Sequence, residues 1–115
     1  MTVTILHNPR CSKSRQTLAL LEENGVQPTI VEYLKTPPAA DEIRDILAKL
    51  DVAPRGLMRT KEAEYREQGL DNADLSDDQL IQAMVDTPKL IERPVVLANG
   101  KAAIGRPPEQ VLDIL

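Results

Sequence analysis

The sequence predicts a single α/β domain over residues 1–115, with a four-stranded mixed sheet and a helical insertion. Three observations predict this class. A strand–helix–strand unit opens the chain, amphipathic helices fill residues from about 37 to 86, and two strands and a helix close it. The length of 115 residues suits one domain built around one hydrophobic core.

Two apolar runs with a helical pattern between them predict the opening strand–helix–strand unit. Residues 2–6 form a short apolar run that predicts a buried strand, and residues 16–23 carry apolar side chains at helical spacing, with Gly25 as a stop. Residues 27–33 are rich in β-branched side chains and predict a second strand. A helix between two neighbouring strands makes a βαβ unit, so we expect these strands to be parallel.

The middle of the chain predicts helices. Thr36 is a candidate cap for a helix whose apolar residues recur at i, i+3, i+4 and i+7, namely Ile43, Ile46, Leu47 and Leu50. Residues 57–68 are predicted to be helical, although their apolar pattern is weak. Residues 76–79 form a capping box that opens a further helix ending before Pro88.

The last part of the chain predicts a hairpin and a helix. Residues 94–98 and 101–104 flank Asn99 and Gly100, a pair typical of a two-residue type I′ turn. A final helix follows the prolines at 107 and 108. The order βαβ, helices, ββα is that of a thioredoxin-like fold with a helical insertion. In that architecture, the first strand-to-helix corner carries the reactive cysteine.

Composition narrows the classes of function. The net charge of −4 gives no overall attraction to nucleic acid or an anionic membrane, and no apolar run is long enough to span a bilayer. One cysteine cannot form an internal disulfide, and we see no signal peptide, so we expect a reducing, cytoplasmic location. One histidine and one cysteine make no credible metal-ligand set, so we expect no metal.

Cys11 stands at the predicted corner between the first strand and the first helix. A lone cysteine is more often a small buried hydrophobe than a nucleophile. Cationic neighbours favour a nucleophile, because Cys11 is flanked by Arg10, Lys13 and Arg15. The unpaired N–H groups and positive dipole of a helix start stabilise a thiolate and can hold an oxyanion. We therefore expect an accessible thiol with a lowered pKa.

Two neighbours of Cys11 have both an ordinary and a functional interpretation. His7 ends the first strand, where a histidine is usually a surface or capping group. It could instead hydrogen-bond the thiolate or, when protonated, stabilise it. Ser14 could satisfy backbone groups in the first helical turn, or donate its hydroxyl to sulfur.

Five segments, spread in order over nearly the whole chain, resemble the glutaredoxin-dependent arsenate reductases, the ArsC-like branch of the thioredoxin-fold proteins. Each motif is weak alone, and together they are specific. They are His7-Asn8-Pro9-x-Cys11-x-x-Ser14-Arg15, Glu32-Tyr33-Leu34-Lys35-Thr36-Pro37-Pro38, Leu57-Met58-Arg59, Leu90-Ile91-Glu92-Arg93-Pro94-Val95-Val96 and Gly105-Arg106-Pro107.

The resemblance implies a role for each matching residue. It makes Cys11 the nucleophile, and Pro94 a cis-proline whose backbone faces that cysteine. It implies three arginines that hold the oxyanion and its thiol adduct: Arg59, Arg93 and Arg106. It also implies two groups that tune the thiol: His7 and Ser14. From the residues alone these arginines could not be chosen over their rivals, of which Arg10 and Arg15 lie beside the cysteine.

The implied activity is reduction of arsenate to arsenite through a Cys11 adduct, with no bound cofactor. Glutathione, followed by glutaredoxin, would be the external reductant. Two alternatives stay open. One is an Spx-like regulator that binds RNA polymerase, although many of these carry CxxC where this chain ends the motif in Ser14. The other is a cysteine-dependent reductase or transferase for another substrate. Ser12 and Lys13 keep that open, because the best-known members have Gly-Thr there, and a cysteine in place of Gly105.

Overall fold

The computed structural model of the chain describes residues 2–115. The chain forms two compact units. The first contains the residues up to Thr36 together with Arg93–Leu115, and the second is Pro37–Glu92. The second unit begins where the helical block is predicted to begin, and extends past residue 86 to Glu92. No helix within residues 2–115 combines the length and the apolar character needed to cross a bilayer.

The first unit contains a mixed four-stranded sheet, as the sequence predicts. Its strands are β1 (Val3–Leu6), β2 (Thr29–Val31), β3 (Val95–Ala98) and β4 (Lys101–Ile104). The spatial order is β2-β1-β3-β4. The β1 and β2 strands are parallel, which confirms the βαβ prediction, whereas β3 is antiparallel to both β1 and β4.

Helix α1 (Ser12–Glu23) begins four residues before the predicted start at residue 16. Its first turn is polar and charged, so the apolar periodicity gave no sign of it. The predicted stop is confirmed, because Gly25 adopts a φ of 77°, a left-handed conformation that glycine tolerates. The helix therefore starts directly after Cys11.

The hairpin turn has the predicted type I′ backbone. Asn99 and Gly100 have φ values of 55° and 72°, so both central residues are left-handed, as this turn requires. The final helix, Pro108–Ile114, is a 3₁₀ helix and not an α-helix. Its buried side chains, Pro108, Val111 and Ile114, are spaced three apart, and a three-residue repeat places them on one face.

The core of the first unit lies between the sheet, α1 and the final helix. Its buried members come from all three: Val3, Ile5, Leu21, Val96, Ala98, Val111 and Ile114. Leu21 is fully buried and is the contribution of α1 to this cluster. The packing of Leu21 therefore fixes the helix whose first turn follows Cys11.

The second unit is mostly helical. Its α-helices are α2 (Ala40–Leu50), α3 (Ala63–Glu67) and α4 (Asp77–Asp86), and two 3₁₀ turns cover Pro54–Leu57 and Pro88–Leu90. The capping box at the start of α4 is confirmed. The Gln79 N–H donates to Ser76 Oγ (3.2 Å), and the Ser76 N–H donates to Gln79 Oε1 (2.8 Å).

Two helix predictions for this unit are wrong. Thr36 does not cap α2. The N-cap is Ala39, whose N–H donates to Glu42 Oε1 at 3.1 Å, so a carboxylate from the first turn satisfies the main chain at this helix start. The predicted helix over residues 57–68 is reduced to α3.

Cross-chain pairing explains the shortened helix. Met58 forms an antiparallel bridge with Ile91, and the Arg59 N–H donates to Leu90 O at 2.7 Å. Because this N–H is used by a distant part of the chain, the backbone here is extended. Such long-range pairing leaves no helical or alternating pattern in a short sequence window.

Replacing Leu21 by Ala should destabilise the protein by about 2–5 kcal/mol, because a fully buried leucine leaves a cavity when truncated. Urea unfolding followed by far-UV circular dichroism measures the change. Leu34→Ala is the matched control in the same unit, since Leu34 is 45% exposed. The control should change stability by less than about 0.5 kcal/mol. Equal losses in the two variants would contradict the core described above.

Candidate active site

Cys11 forms the N-cap of α1. Its backbone is extended (φ −93°, ψ 124°), and the helix begins at the next residue. The Cys11 N–H donates to Asn8 O (3.0 Å), and Cys11 O accepts the Arg15 N–H (3.0 Å). Only 8% of the residue is exposed. The thiol therefore lies at the positive end of a helix, as expected. The expectation of an accessible thiol is wrong, because the residue is largely shielded from bulk water.

Strand register explains which other side chains reach this corner. The end of β1 lies opposite the start of β3, with Leu6 paired to Val95. The start of β3 lies opposite the end of β4, with Val95 paired to Ile104. The residues adjoining these strand ends therefore meet at one edge of the sheet: Cys11, Arg93 and Arg106.

The Arg106 guanidinium approaches the sulfur directly. Its Nη2 atom lies 3.8 Å from Cys11 Sγ, within the range of a hydrogen bond to sulfur. Its Nε–H donates to Arg93 O at 2.8 Å, which anchors the guanidinium to the chain just before β3. An exposed arginine is thereby held over a largely buried thiol.

Arg93 supplies the second cation. Its Nε and Nη1 atoms are buried, and its charge lowers the pKa of the Cys11 thiol. The Arg93–Pro94 peptide bond is cis, as the family resemblance implies for Pro94, and the Arg106–Pro107 bond is cis as well. The Gly105 N–H donates to Pro94 O at 3.0 Å. The two arginine-bearing segments are thus tied together by their backbones.

The pKa of the Cys11 thiol is lower than its ordinary value. Burial is the largest single influence, and it raises the pKa. The opposing influences together outweigh it. They are the main-chain N–H of Ser14, the charge of Arg93, the main-chain N–H of Lys13 and the charge of Arg106. The thiolate is therefore stabilised by the start of α1 and by two arginines that are distant in sequence.

His7 and Ser14 form a buried pair beside the cysteine. His7 Nδ1 lies 2.6 Å from Ser14 Oγ, and Ser14 Oγ accepts the Asn8 N–H at 3.0 Å. The serine hydroxyl is thus committed to His7 and Asn8, and Ser14 influences the sulfur through its main-chain N–H. Burial lowers the pKa of His7, Glu32 raises it and Arg15 lowers it, with a net lowering that favours a neutral imidazole at neutral pH.

Residues 6–114 match the ArsC family. This chain belongs to the ArsC family. Its relatives include the YfgD protein of Escherichia coli K12, 61% identical over 98% of this chain and 96% of that protein. An arsenate reductase of Neisseria meningitidis is 54% identical over 98% of this chain and 97% of that protein.

The structure is similar to that of an arsenate reductase from Vibrio cholerae. The two chains share 52% of their residues and superpose with a TM-score of 0.98, covering 100% of this chain and 98% of the other. This likeness confirms the thioredoxin-like fold predicted from the element order. The structure also places the ArsC-like cysteine and two of its expected arginines, Arg93 and Arg106, at one edge of the sheet.

The two arginines beside the ArsC-family cysteine have structural contacts of their own. Arg15 Nη1 donates to Pro9 O at 2.9 Å, and the Arg10 N–H donates to Asn8 Oδ1 at 3.0 Å. Both side chains are exposed, and neither is among the groups that lower the pKa of Cys11. Of these four arginines, Arg93 and Arg106 are the ones whose charge lowers the pKa of the Cys11 thiol.

Arg59 lies in the second unit, just before α3. Its Nη1 atom is 2.7 Å from Glu62 Oε1, and Lys89 Nζ is 3.5 Å from the other oxygen of Glu62. The Glu62 carboxylate thus orients the arginine. The part of Arg59 in the oxyanion site stays a prediction.

Asn8 is a structural member of the site that the sequence argument overlooked. Its carbonyl accepts the Cys11 N–H, its N–H donates to Ser14 and its side chain accepts the Arg10 N–H. An asparagine followed by a proline is a turn signal, because its side chain can bond to the backbone two residues ahead. That signal was available in the sequence.

Within residues 2–115, no three His, Cys, Asp or Glu side chains are grouped so as to hold a metal ion.

The lowered pKa of Cys11 should be visible in its reactivity. The rate of alkylation by iodoacetamide should rise with pH and reach its midpoint below about 8.5, the value of a free cysteine. Arg93→Ala should move the midpoint to higher pH, because a cation that favours the thiolate is lost.

Arg44→Ala is the control for loss of a positive charge, because Arg44 is paired with Asp41 and Asp78 in the second unit. It should leave the midpoint unchanged. A wild-type midpoint at or above about 8.5 would show that the N–H groups and arginines fail to offset burial.

Proposed function

We propose that this protein reduces arsenate to arsenite with Cys11 as the nucleophile. The observation that carries the proposal is the 3.8 Å contact between Arg106 Nη2 and Cys11 Sγ at the start of α1. It joins a stabilised thiolate to a group suited to a tetrahedral oxyanion. The relatives named arsenate reductases support the choice of arsenate.

In the first step, the Cys11 thiolate attacks arsenic and displaces one oxygen, which leaves as water after protonation. Both reactants are anions at neutral pH, so cations must offset their repulsion. The N–H groups at a helix start supply only about half a unit of positive charge. We therefore assign the remaining charge to Arg59, Arg93 and Arg106, whose forked guanidinium groups can bind two oxygens at once.

The second half of the reaction needs thiols from outside the chain, because the sequence holds one cysteine. A glutathione thiol displaces a second oxygen from arsenic as water. A glutaredoxin thiolate then attacks the glutathione sulfur, and a disulfide forms between the two. The electron pair of the broken sulfur–arsenic bond stays on arsenic, which becomes As(III). Water releases arsenite and restores the Cys11 thiol, so two external thiols are oxidised for each arsenate reduced. We therefore also propose a reducing, cytoplasmic location for the protein.

Turnover should depend on both Cys11 and an added thiol. Cys11→Ser should abolish arsenate reduction, and the wild type should be inactive until glutathione and glutaredoxin are supplied, since no internal thiol can release the adduct. Arsenite formation, measured alongside NADPH consumption by a coupled glutathione reductase, is the test.

The same assay separates the alternatives. Wild-type turnover without thiol, or full activity in Cys11→Ser, would contradict the mechanism. A protein that is inactive with arsenate but binds RNA polymerase would be an Spx-like regulator. Activity confined to another thiol-reactive substrate would retain the Cys11 chemistry and replace arsenate.

Arg59→Ala should lower kcat/KM for arsenate about a hundredfold, the typical loss on removing one preorganised electrostatic group. Arg59→Lys should recover only part of the activity, because lysine keeps the charge and loses the fork. Arg66→Ala is the control, since Arg66 is an exposed arginine of the same unit. If Arg59→Ala stays within about twofold of the control, Arg59 is not a substrate ligand, and Arg10 and Arg15 become the candidates.

A further inference from the structure

Gly105 is buried in a space that has no room for a side chain. A Cβ built on it would lie 2.5 Å from Thr17 Oγ1, 2.8 Å from Pro94 Cγ and 3.1 Å from Thr17 Cγ2. The first two distances are too short for any carbon side chain. Any other residue at this position therefore requires movement of α1, of Pro94 or of the segment that carries residue 105.

Thr17 cannot clear the space by rotating. The residue is fully buried, and its hydroxyl donates to Lys13 O at 2.8 Å. Its Oγ1 and Cγ2 atoms both face the missing Cβ. Rotation about χ1 would turn at most one of these two atoms away, and it would break the hydrogen bond to the first turn of α1. The wall formed by α1 is therefore rigid at this point.

Pro94 closes the other side. Its ring can shift Cγ only by a change of pucker, and its carbonyl accepts the Gly105 N–H at 3.0 Å, so the two residues are held together. The remaining response to a side chain is displacement of the 105 segment itself. That displacement would carry Arg106 with it, whose Nη2 atom already lies 3.8 Å from Cys11 Sγ, near the limit of a contact to sulfur.

We propose that Gly105 is a positioning residue, whose missing side chain lets the 105–106 segment lie close enough to α1 for Arg106 to reach Cys11. This inference rests on the Cys11 thiolate of the proposed function. It adds a requirement on the size of the residue that precedes Arg106. In this chain, Thr17 and Pro94 occupy the space that a side chain at position 105 would need.

The test is a double-mutant cycle with Cys11 alkylation as the readout, since alkylation requires no arsenate. The four proteins are the wild type, Gly105→Ala, Arg106→Ala and the double variant. Gly105→Ala should raise the midpoint pH of iodoacetamide alkylation by about half a unit, which lowers the thiolate fraction at pH 7 about threefold. In the Arg106→Ala background, Gly105→Ala should cause no further rise, because the group through which it acts is gone.

Two controls distinguish positioning from a general loss of stability. Gly56→Ala introduces a Cβ 2.9 Å from Val52 Cβ in the second unit, and should leave the Cys11 midpoint unchanged. If Gly105→Ala does not fold, the cycle is repeated in a Thr17→Ala background, which removes both threonine atoms from the space. There Gly105→Ala should still raise the midpoint, through Pro94, and only while Arg106 is present.

An unchanged midpoint in Gly105→Ala overturns the proposal. An equal rise with and without Arg106 also overturns it, because the glycine would then act on α1 directly. If alkylation follows the expected cycle and no variant reduces arsenate, the positioning role stands and the proposed substrate is wrong.

Discussion

The Cys11 thiol is largely buried, yet its pKa is lower than its ordinary value, and this balance depends on several features of the first unit. Burial alone favours the neutral thiol. The compensation comes from the main-chain N–H groups of Lys13 and Ser14, and these exist only because α1 begins directly after Cys11. A helix starting at residue 16 would have placed its free N–H groups a full turn away. The thiolate therefore depends on where α1 starts, and Leu21 anchors that helix in the core.

The register of the sheet supplies the remaining stabilisation of the Cys11 thiolate, which offsets the effect of burial. Because β3 is antiparallel to both β1 and β4, the chain before β3 and the chain after β4 lie beside the end of β1. This geometry converts two arginines 13 residues apart into a connected pair, in which Arg106 Nε–H donates to Arg93 O. Neither arginine is close to Cys11 in sequence. The family resemblance pointed to these two arginines, and the strand order explains how the fold brings them close to Cys11.

The elements that could be predicted from the sequence are those with local causes. The hairpin follows from Asn99 and Gly100, which tolerate left-handed backbone, and α4 follows from a cap in which Ser76 and Gln79 satisfy each other. The failures have distant causes. Residues 58–62 are not helical, because Met58 pairs with Ile91, a contact that no short window contains. The same distinction between local and distant causes applies to the site residues. Cys11 was evident from its cationic corner, whereas the commitment of the Ser14 hydroxyl to His7 required knowledge of where β1 ends relative to α1.

The polar groups around Cys11 stabilise the thiolate, whereas the electrons for the proposed reduction come from elsewhere. The N–H groups and the two arginines stabilise negative charge, and one cysteine cannot form a disulfide within the chain. Position 105 carries a glycine enclosed by Thr17 and Pro94. A side chain there would meet both residues, and the proposed consequence is displacement of the neighbouring Arg106. The missing side chain thus allows α1 and the arginine-bearing segment to lie close together. In the proposed mechanism, the chain stabilises negative charge at Cys11, and thiols from solution supply the electrons.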